Sequence, residues 1–164
     1  MSDDFINLIE EGDDDTLKGK YLIFSMDEEL YGMEIRFITE IIGIQPITAV
    51  PEMPSYVRGI TNLRGKIIPV MDARLRFKKE IREYDGRTCI IVIDTNDISI
   101  GLVVDSVSEV VTLADEDIAP PPEVKKSGHK FIKGVGKAGG TVKLLLDCHK
   151  LLEDDDIELL GNLA

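Results

Sequence analysis

The chain of 164 residues has no tryptophan, two histidines, two cysteines and only 5% aromatic residues. Any core it builds is therefore mostly aliphatic. Two cysteines, Cys89 and Cys148, make no disulfide framework, which fits a reducing compartment. His129 and His149 find no partners at the spacing of a zinc site. No apolar run approaches the roughly 20 residues of a membrane span. The opening "MSDDFINLIEEGDDD" is acidic where a signal peptide is basic, so export is not expected.

What is present is an ordinary globular composition, 43% hydrophobic and 30% charged, with a net charge of −12. That charge has an address. Residues 1–16 hold seven acids and no base, and residues 151–164 hold five acids and no base, so the body between them is neutral. Within the body, residues 57–87 and 125–150 are rich in bases, whereas residues 88–123 hold eight acids and no base. Blocks of alternating sign suit protein partners. Nucleic acid is disfavoured, because the acidic ends repel it and the basic blocks lack interleaved aromatics.

The chain also contains itself. Aligning "YLIFSMDEELYGMEIRFITEII" with "IIVIDTNDISIGLVVDSVSEVV" sets Gly32 on Gly101, Ile38 on Val107, Glu40 on Glu109 and Pro51 on Pro120. Aligning "VRGITNLRGKIIPVMD" with "IKGVGKAGGTVKLLLD" sets Gly59 on Gly134, Gly65 on Gly140 and Asp72 on Asp147. The register changes within "PPPEVKKSGHK", which marks an insertion. Coincident glycines and apolar periodicity point to an internal duplication.

Each copy reads as five short strands. "KYLIFSM" and "ELYGMEI", "EIIGIQPITAV", "RGITNL" and "KIIPVMD" are β-rich runs set off by turn residues. Pro69 predicts that "KIIPV" is an edge or bulged strand. The expectation is a mainly β protein of two tandem five-stranded barrels, which close their own edges. Barrel one spans roughly residues 19–80 and barrel two roughly 87–147, intertwined through the chain ends, in a single domain of residues 19–147. An acidic, mobile segment precedes it at residues 1–18. Residues 148–164 supply a C-terminal helix and an acidic tail. That helix packs on the body through Leu151, Leu152, Ile157, Leu159 and Leu160.

Duplication allows one half to act as the control for the other. At the corner after the fourth strand, copy one reads Asn62-Leu63-Arg64-Gly65 and copy two reads Lys137-Ala138-Gly139-Gly140. The fold therefore does not need a Leu-Arg pair at this corner. Gly65 serves a positive φ and Asn62 folds its amide onto the backbone, but Arg64 has no such local reason. A Glu40–Arg64 ion pair would hold the corner in one shape and offer a planar donor fork to a partner.

Catalytic chemistry is hard to find. Asp147-Cys148-His149 are adjacent and so point apart, and Cys148 reads as a small buried hydrophobe. The glycines of "GVGKAGG" lack the strand-to-helix context of a phosphate loop and read as a hairpin. Two readings from other classes stay open: a small-barrel module for single-stranded nucleic acid, and a hydrolase working through Cys148 and His149.

"VRGITNLRGKIIPVMDARLRF", with "YLIFSMDEELYGMEI" and "IGLVVDSVSEV", resembles the CheW family of bacterial chemotaxis coupling proteins over roughly residues 18–160. The NLRG corner followed by an apolar strand and D-x-R is the specific part. The resemblance implies two SH3-like barrels and a non-catalytic adaptor or scaffold in a two-component signal-transduction system. No cofactor or metal is implied. The implied partners are the regulatory domain of the histidine kinase CheA, docking barrel against barrel, and the cytoplasmic tips of methyl-accepting chemoreceptors, lying in an apolar groove between the barrels. The implied location is the cytoplasm, at membrane-associated receptor arrays without direct membrane insertion. Ile38, Glu40, Gly59 and Arg64 match family positions tied to coupling. With their neighbours Ile41, Val57, Asn62, Leu63 and Gly65 they form the candidate partner-binding set.

Overall fold

A computed structural model describes residues 17–95, 98–121 and 130–152. Strands β1 (Lys20–Met26), β2 (Glu29–Glu34), β3 (Ile38–Gly43), β4 (Val57–Leu63) and β5 (Lys66–Asp72) lead into the one-turn helix α1 (Ala73–Arg76). Then follow β6 (Cys89–Thr95), β7 (Ile98–Val104), β8 (Ser106–Thr112), a short β9 (Ile118–Ala119), β10 (Ile132–Ala138), β11 (Thr141–Leu146) and helix α2 (Cys148–Leu152). The duplication is visible element by element: β1 to β5 and α1 recur as β6, β7, β8, β10, β11 and α2. Asp72 recurs as Asp147 for a local reason. Asp72 Oδ1 accepts a hydrogen bond from the Arg74 N–H at 2.9 Å, and Asp147 Oδ1 accepts from the Lys150 N–H at 3.1 Å. Each carboxylate caps the helix that follows it.

The sheets do not follow the sequence copies. One sheet has the order β3-β6-β7-β5-β4 and the other β8-β1-β2-β11-β10-β9. Copy one therefore lends its first hairpin to the sheet built mainly from copy two, where β1 pairs antiparallel with β8 and β2 parallel with β11. Copy two returns the favour with β6 against β3 and β7 against β5. The boundaries 19–80 and 87–147 consequently describe the repeats and not the sheets. The physical reason lies in β1 and β6, apolar on both faces, which need neighbours on both sides and cover above and below.

Alternation along these strands feeds three cores. Tyr21 and Ile23 face Leu113 and Leu145 inside the six-stranded sheet. Ile90 and Val92 face Ile68, Val70 and Val103 inside the five-stranded one. The intervening residues, Leu22, Phe24 and Met26 with Ile91 and Ile93, meet between the sheets in the largest cluster. The chain is thus mainly β, with two small-barrel units sharing a central core. In α2, Cys148, Leu151 and Leu152 join that core, while Ile157, Leu159 and Leu160 of the expected stripe lie outside the described residues.

Pro69 is not on the expected edge, since β5 lies between β7 and β4, although the β4–β5 ladder carries a bulge between Val57 and Gly59. Ile60, opposite Pro69, directs its N–H and C=O to Thr48, at 2.9 and 2.8 Å, and not to β5. The ring nitrogen therefore faces β7, where pairing begins only at Val70. The proline removes no ladder bond.

Candidate functional site

β4 and β5 are joined by Arg64 and Gly65, with Leu63 paired to Lys66. Both turn residues are left-handed, at φ 54° and 86°. This is the two-residue hairpin in which both central positions need φ above zero. Asn62 Oδ1 accepts from the Gly65 N–H at 2.8 Å and closes the tip. At the equivalent tip of copy two, Gly139 and Gly140 have φ 65° and 76°. The backbone shape is the same, but copy one holds it with an arginine where glycine is the easy residue, at a cost of about 1 kcal/mol. The sequence reading assigned the positive φ to Gly65 and missed that Arg64 shares it.

Glu40 and Arg64 do pair. Arg64 Nη2 donates to Glu40 Oε1 at 2.5 Å, with the arginine side chain 77% exposed and the glutamate 21%. An ion pair this exposed contributes at most about 1 kcal/mol. It offsets the backbone strain without exceeding it, so the corner has no net reason in stability to carry an arginine. The contact also joins edge strand β3 to the tip beside the opposite edge strand β4, curling the five-stranded sheet on itself.

The other candidates divide by burial. Ile38 is 2% exposed in the central core and Gly59 is buried. Gly59 has φ 142°, and a Cβ there would lie 2.0 Å from the Thr48 carbonyl oxygen, where the chain before β4 crosses it. Thr61 Oγ1 ties that crossing further by donating to the Pro46 carbonyl at 2.8 Å. Ile38 and Gly59 therefore shape the site from behind and present nothing to a partner. Val57 and Leu63 are half-buried, Leu63 against the five-stranded core. Asn62, Arg64 and Gly65 are exposed together at the tip, with Glu40 half-buried beneath them. Ile41 belongs elsewhere, on the next position of β3.

That elsewhere is a groove of about 740 Å³ between β3 and β8, the edge strands of the two sheets. Ile41, Ile42 and Gly43 line one side with Gly86, Arg87 and Cys89; Ser106 to Val110 line the other, with Leu22 between. Ile41, Val107 and Val110 are half-buried, each packing on the central core while lining the groove. Glu109, the counterpart of Glu40, stands here and not at a corner. The sequence reading paired the two glutamates by register; it named Ile41 and implied a groove between the barrels, but not its β8 wall. Burial raises the Cys89 thiol above its ordinary pKa.

Nucleophilic chemistry has no footing at Asp147-Cys148-His149. Burial pushes the Cys148 thiol up to about 12, so the reactive thiolate is scarce at neutral pH. The exposed His149 instead sets its ring edge-on to Phe37, with centroids 5.2 Å apart. Among the described residues no group of three His, Cys, Asp or Glu side chains stands ready for a metal ion, and no helix is long and apolar enough to cross a membrane.

Residues 20–156 match the family model described as a CheW-like domain. Among curated proteins, the chain is 35% identical over 151 residues to the chemotaxis protein CheW of Klebsiella aerogenes, covering 92% of this chain and 91% of that protein. It is 33% identical over 145 residues to the chemotaxis protein CheW of Treponema pallidum, covering 85% of each. Among solved structures, the scaffolding protein TtCheW from Thermoanaerobacter tengcongensis superposes with a TM-score of 0.78 at 36% identity, covering 84% of this chain and 94% of that one.

Proposed function

The chain belongs to the CheW-like domain family, and we propose that it is a non-catalytic adaptor that couples transmembrane chemoreceptors to the histidine kinase CheA. The exposed tip at Asn62, Arg64 and Gly65, braced by Glu40, is the docking surface for the kinase regulatory domain. The groove between β3 and β8 takes the helical tip of a receptor, with Ile41, Val107 and Val110 as aliphatic anchors for a helix laid along it. Residues 19–147 work as one unit because each half holds a hairpin of the other. The adaptor acts in the cytoplasm and is recruited to receptor arrays at the membrane. Its signal is a coupling free energy between two faces, of about 1–3 kcal/mol in proteins of this kind.

The observation that carries this reading is Arg64, a strained and exposed arginine that copy two replaces with glycine. Strain held at an exposed position motivates a functional use. The nucleic-acid reading gains no comparable support. In the basic block, Arg74, Lys79 and Arg82 are engaged by carboxylates, and the Arg76 guanidinium lies between the rings of Tyr56 and Phe131.

The test is calorimetric titration of the protein with the kinase regulatory domain, alongside an Arg64→Ala variant of intact fold. Binding weakened about tenfold in the variant, a loss of roughly 1.4 kcal/mol, is expected. Equal binding by both proteins removes the kinase from this corner.

A further inference from the structure

The groove has two walls, and one charged network ends on both. Asp105 stands between β7 and β8, at the head of the wall formed by Ser106 to Val110. Its Oδ1 accepts from Arg74 Nε at 2.8 Å. Its Oδ2 accepts from Arg74 Nη2 at 2.7 Å, from the Asp27 N–H at 2.9 Å and from Arg82 Nη1 at 3.2 Å. Arg74 is itself buried, and it reaches the Asp27 carboxylate and, at 3.1 Å, the Glu80 carbonyl. Asp105 is therefore held firmly on the body side by a bidentate, charge-assisted fork.

Arg82 carries the network across to the other wall. Its Nη2 donates to Asp85 Oδ2 at 3.3 Å. Asp85 in turn folds the segment that follows: its Oδ1 accepts from the Arg87 N–H at 2.8 Å, and its own N–H donates to Thr88 Oγ1 at 2.9 Å. Gly86, Arg87 and Cys89 are the opposite wall of the groove. The chain of contacts closes on the cysteine, whose Sγ donates to the Arg87 carbonyl at 3.3 Å.

We infer that Arg82, bridging Asp105 at the head of one wall to Asp85, which anchors the other, is a positioning residue that fixes the separation of the groove walls. This rests on the reading of the groove as the receptor site. Arg82 lies half in solvent, with its side chain 51% exposed, so its removal leaves the cores untouched and frees only the Asp85–Thr88 segment. The strut thus acts on groove geometry and little on global stability.

The protein carries its own probe. Cys89 lines the groove half-buried, whereas Cys148 is buried at 2% exposure and reports global opening. The rate at which a disulfide reagent labels each thiol is measured in the full chain, in Arg82→Gln and in Arg82→Lys, alongside the thermal midpoint. Arg82→Gln is expected to label Cys89 about threefold faster, as loss of the two ion pairs of a half-exposed arginine implies, with the midpoint and the Cys148 rate unchanged. Arg82→Lys restores most of the original rate.

An unchanged Cys89 rate in Arg82→Gln overturns the inference. So does a parallel rise at Cys148, because the arginine then merely supports the fold. Titration with a soluble chemoreceptor tip separates the two claims. Weaker binding by Arg82→Gln with faster Cys89 labelling supports both. A receptor tip that binds neither protein overturns the receptor reading of the groove and leaves the strut, read from the thiol alone, standing.

Discussion

The hairpin tips at Arg64-Gly65 and Gly139-Gly140 occupy equivalent places in the duplication and trace the same left-handed path, yet one carries a long cation and the other carries no side chain. Around Gly139 and Gly140 an added Cβ meets nothing within 4 Å, so space is not what keeps that tip bare. The bare tip is what turn geometry prefers. The arginine tip departs from that preference, and its half-buried partner Glu40 returns about as much energy as the departure costs. A second pair of positions makes the opposite point. Gly59 and Gly134 are alike in the two copies because backbone or core atoms crowd both, the Thr48 carbonyl in one and Ile118 and Ala119 in the other. Where the halves agree, packing, turn geometry or a helix cap is the cause; where they differ at an exposed strained residue, a partner is the simplest cause.

The comparison is broken most severely at Gly59. Gly59→Ala places a Cβ 2.0 Å from backbone that cannot withdraw, at φ 142°, and is expected to cost about 3 kcal/mol or more in a urea unfolding series. Gly134→Ala meets its nearest atoms at 3.0 and 3.2 Å and is expected to cost about half as much. Equal costs would mean that the Thr48 crossing is softer than its geometry implies.

The next effect belongs to the clasp that joins the halves. Asp105→Asn leaves the buried Arg74 fork without its main carboxylate and is expected to destabilise by about 3 kcal/mol at neutral pH. Burial pushes the Asp105 pKa up. The hydrogen bonds from Arg74 and the Asp27 N–H, with attraction to Arg74 and Arg82, outweigh it and hold the carboxyl below its ordinary value. A depressed carboxyl stabilises the fold above its unfolded value, near 4, and that stability is lost as pH falls through the folded value. The difference between the parent and Asp105→Asn is therefore expected to shrink below about pH 4 in acid-unfolding curves.

Exchanging the tips gives the smallest effects on stability and sharpens the comparison most. Gly139→Arg meets no neighbour and is expected to cost about 1 kcal/mol through its φ alone. Arg64→Gly relieves the same strain and forfeits the Glu40 pair, so its unfolding midpoint is expected to stay within about 0.5 kcal/mol of the parent.

The strands were legible because runs of β-branched and aromatic residues set off by turn residues are local. "KYLIFSM" and "TCIIVID" declare themselves without any knowledge of what pairs with them. The Glu40–Arg64 pair was legible too, as the one charge complement that the second copy lacked. The exchange of hairpins was not, since no local pattern says which sheet an apolar hairpin joins. A groove between the barrels was implied by the resemblance, but its walls were hidden for the same reason, being edge strands brought together by that exchange. The φ of Arg64 was hidden because the residue contradicts the turn it occupies, and Pro69 was misplaced because its missing N–H faces a ladder that starts one residue later.

The central claim, that Arg64 serves a partner and not the fold, is tested most directly by Arg64→Gly, measured for unfolding midpoint and for calorimetric binding of the kinase regulatory domain in the same preparation. The account predicts an unchanged midpoint with binding weakened about tenfold. A lowered midpoint with undiminished binding would contradict it and return the arginine to the fold.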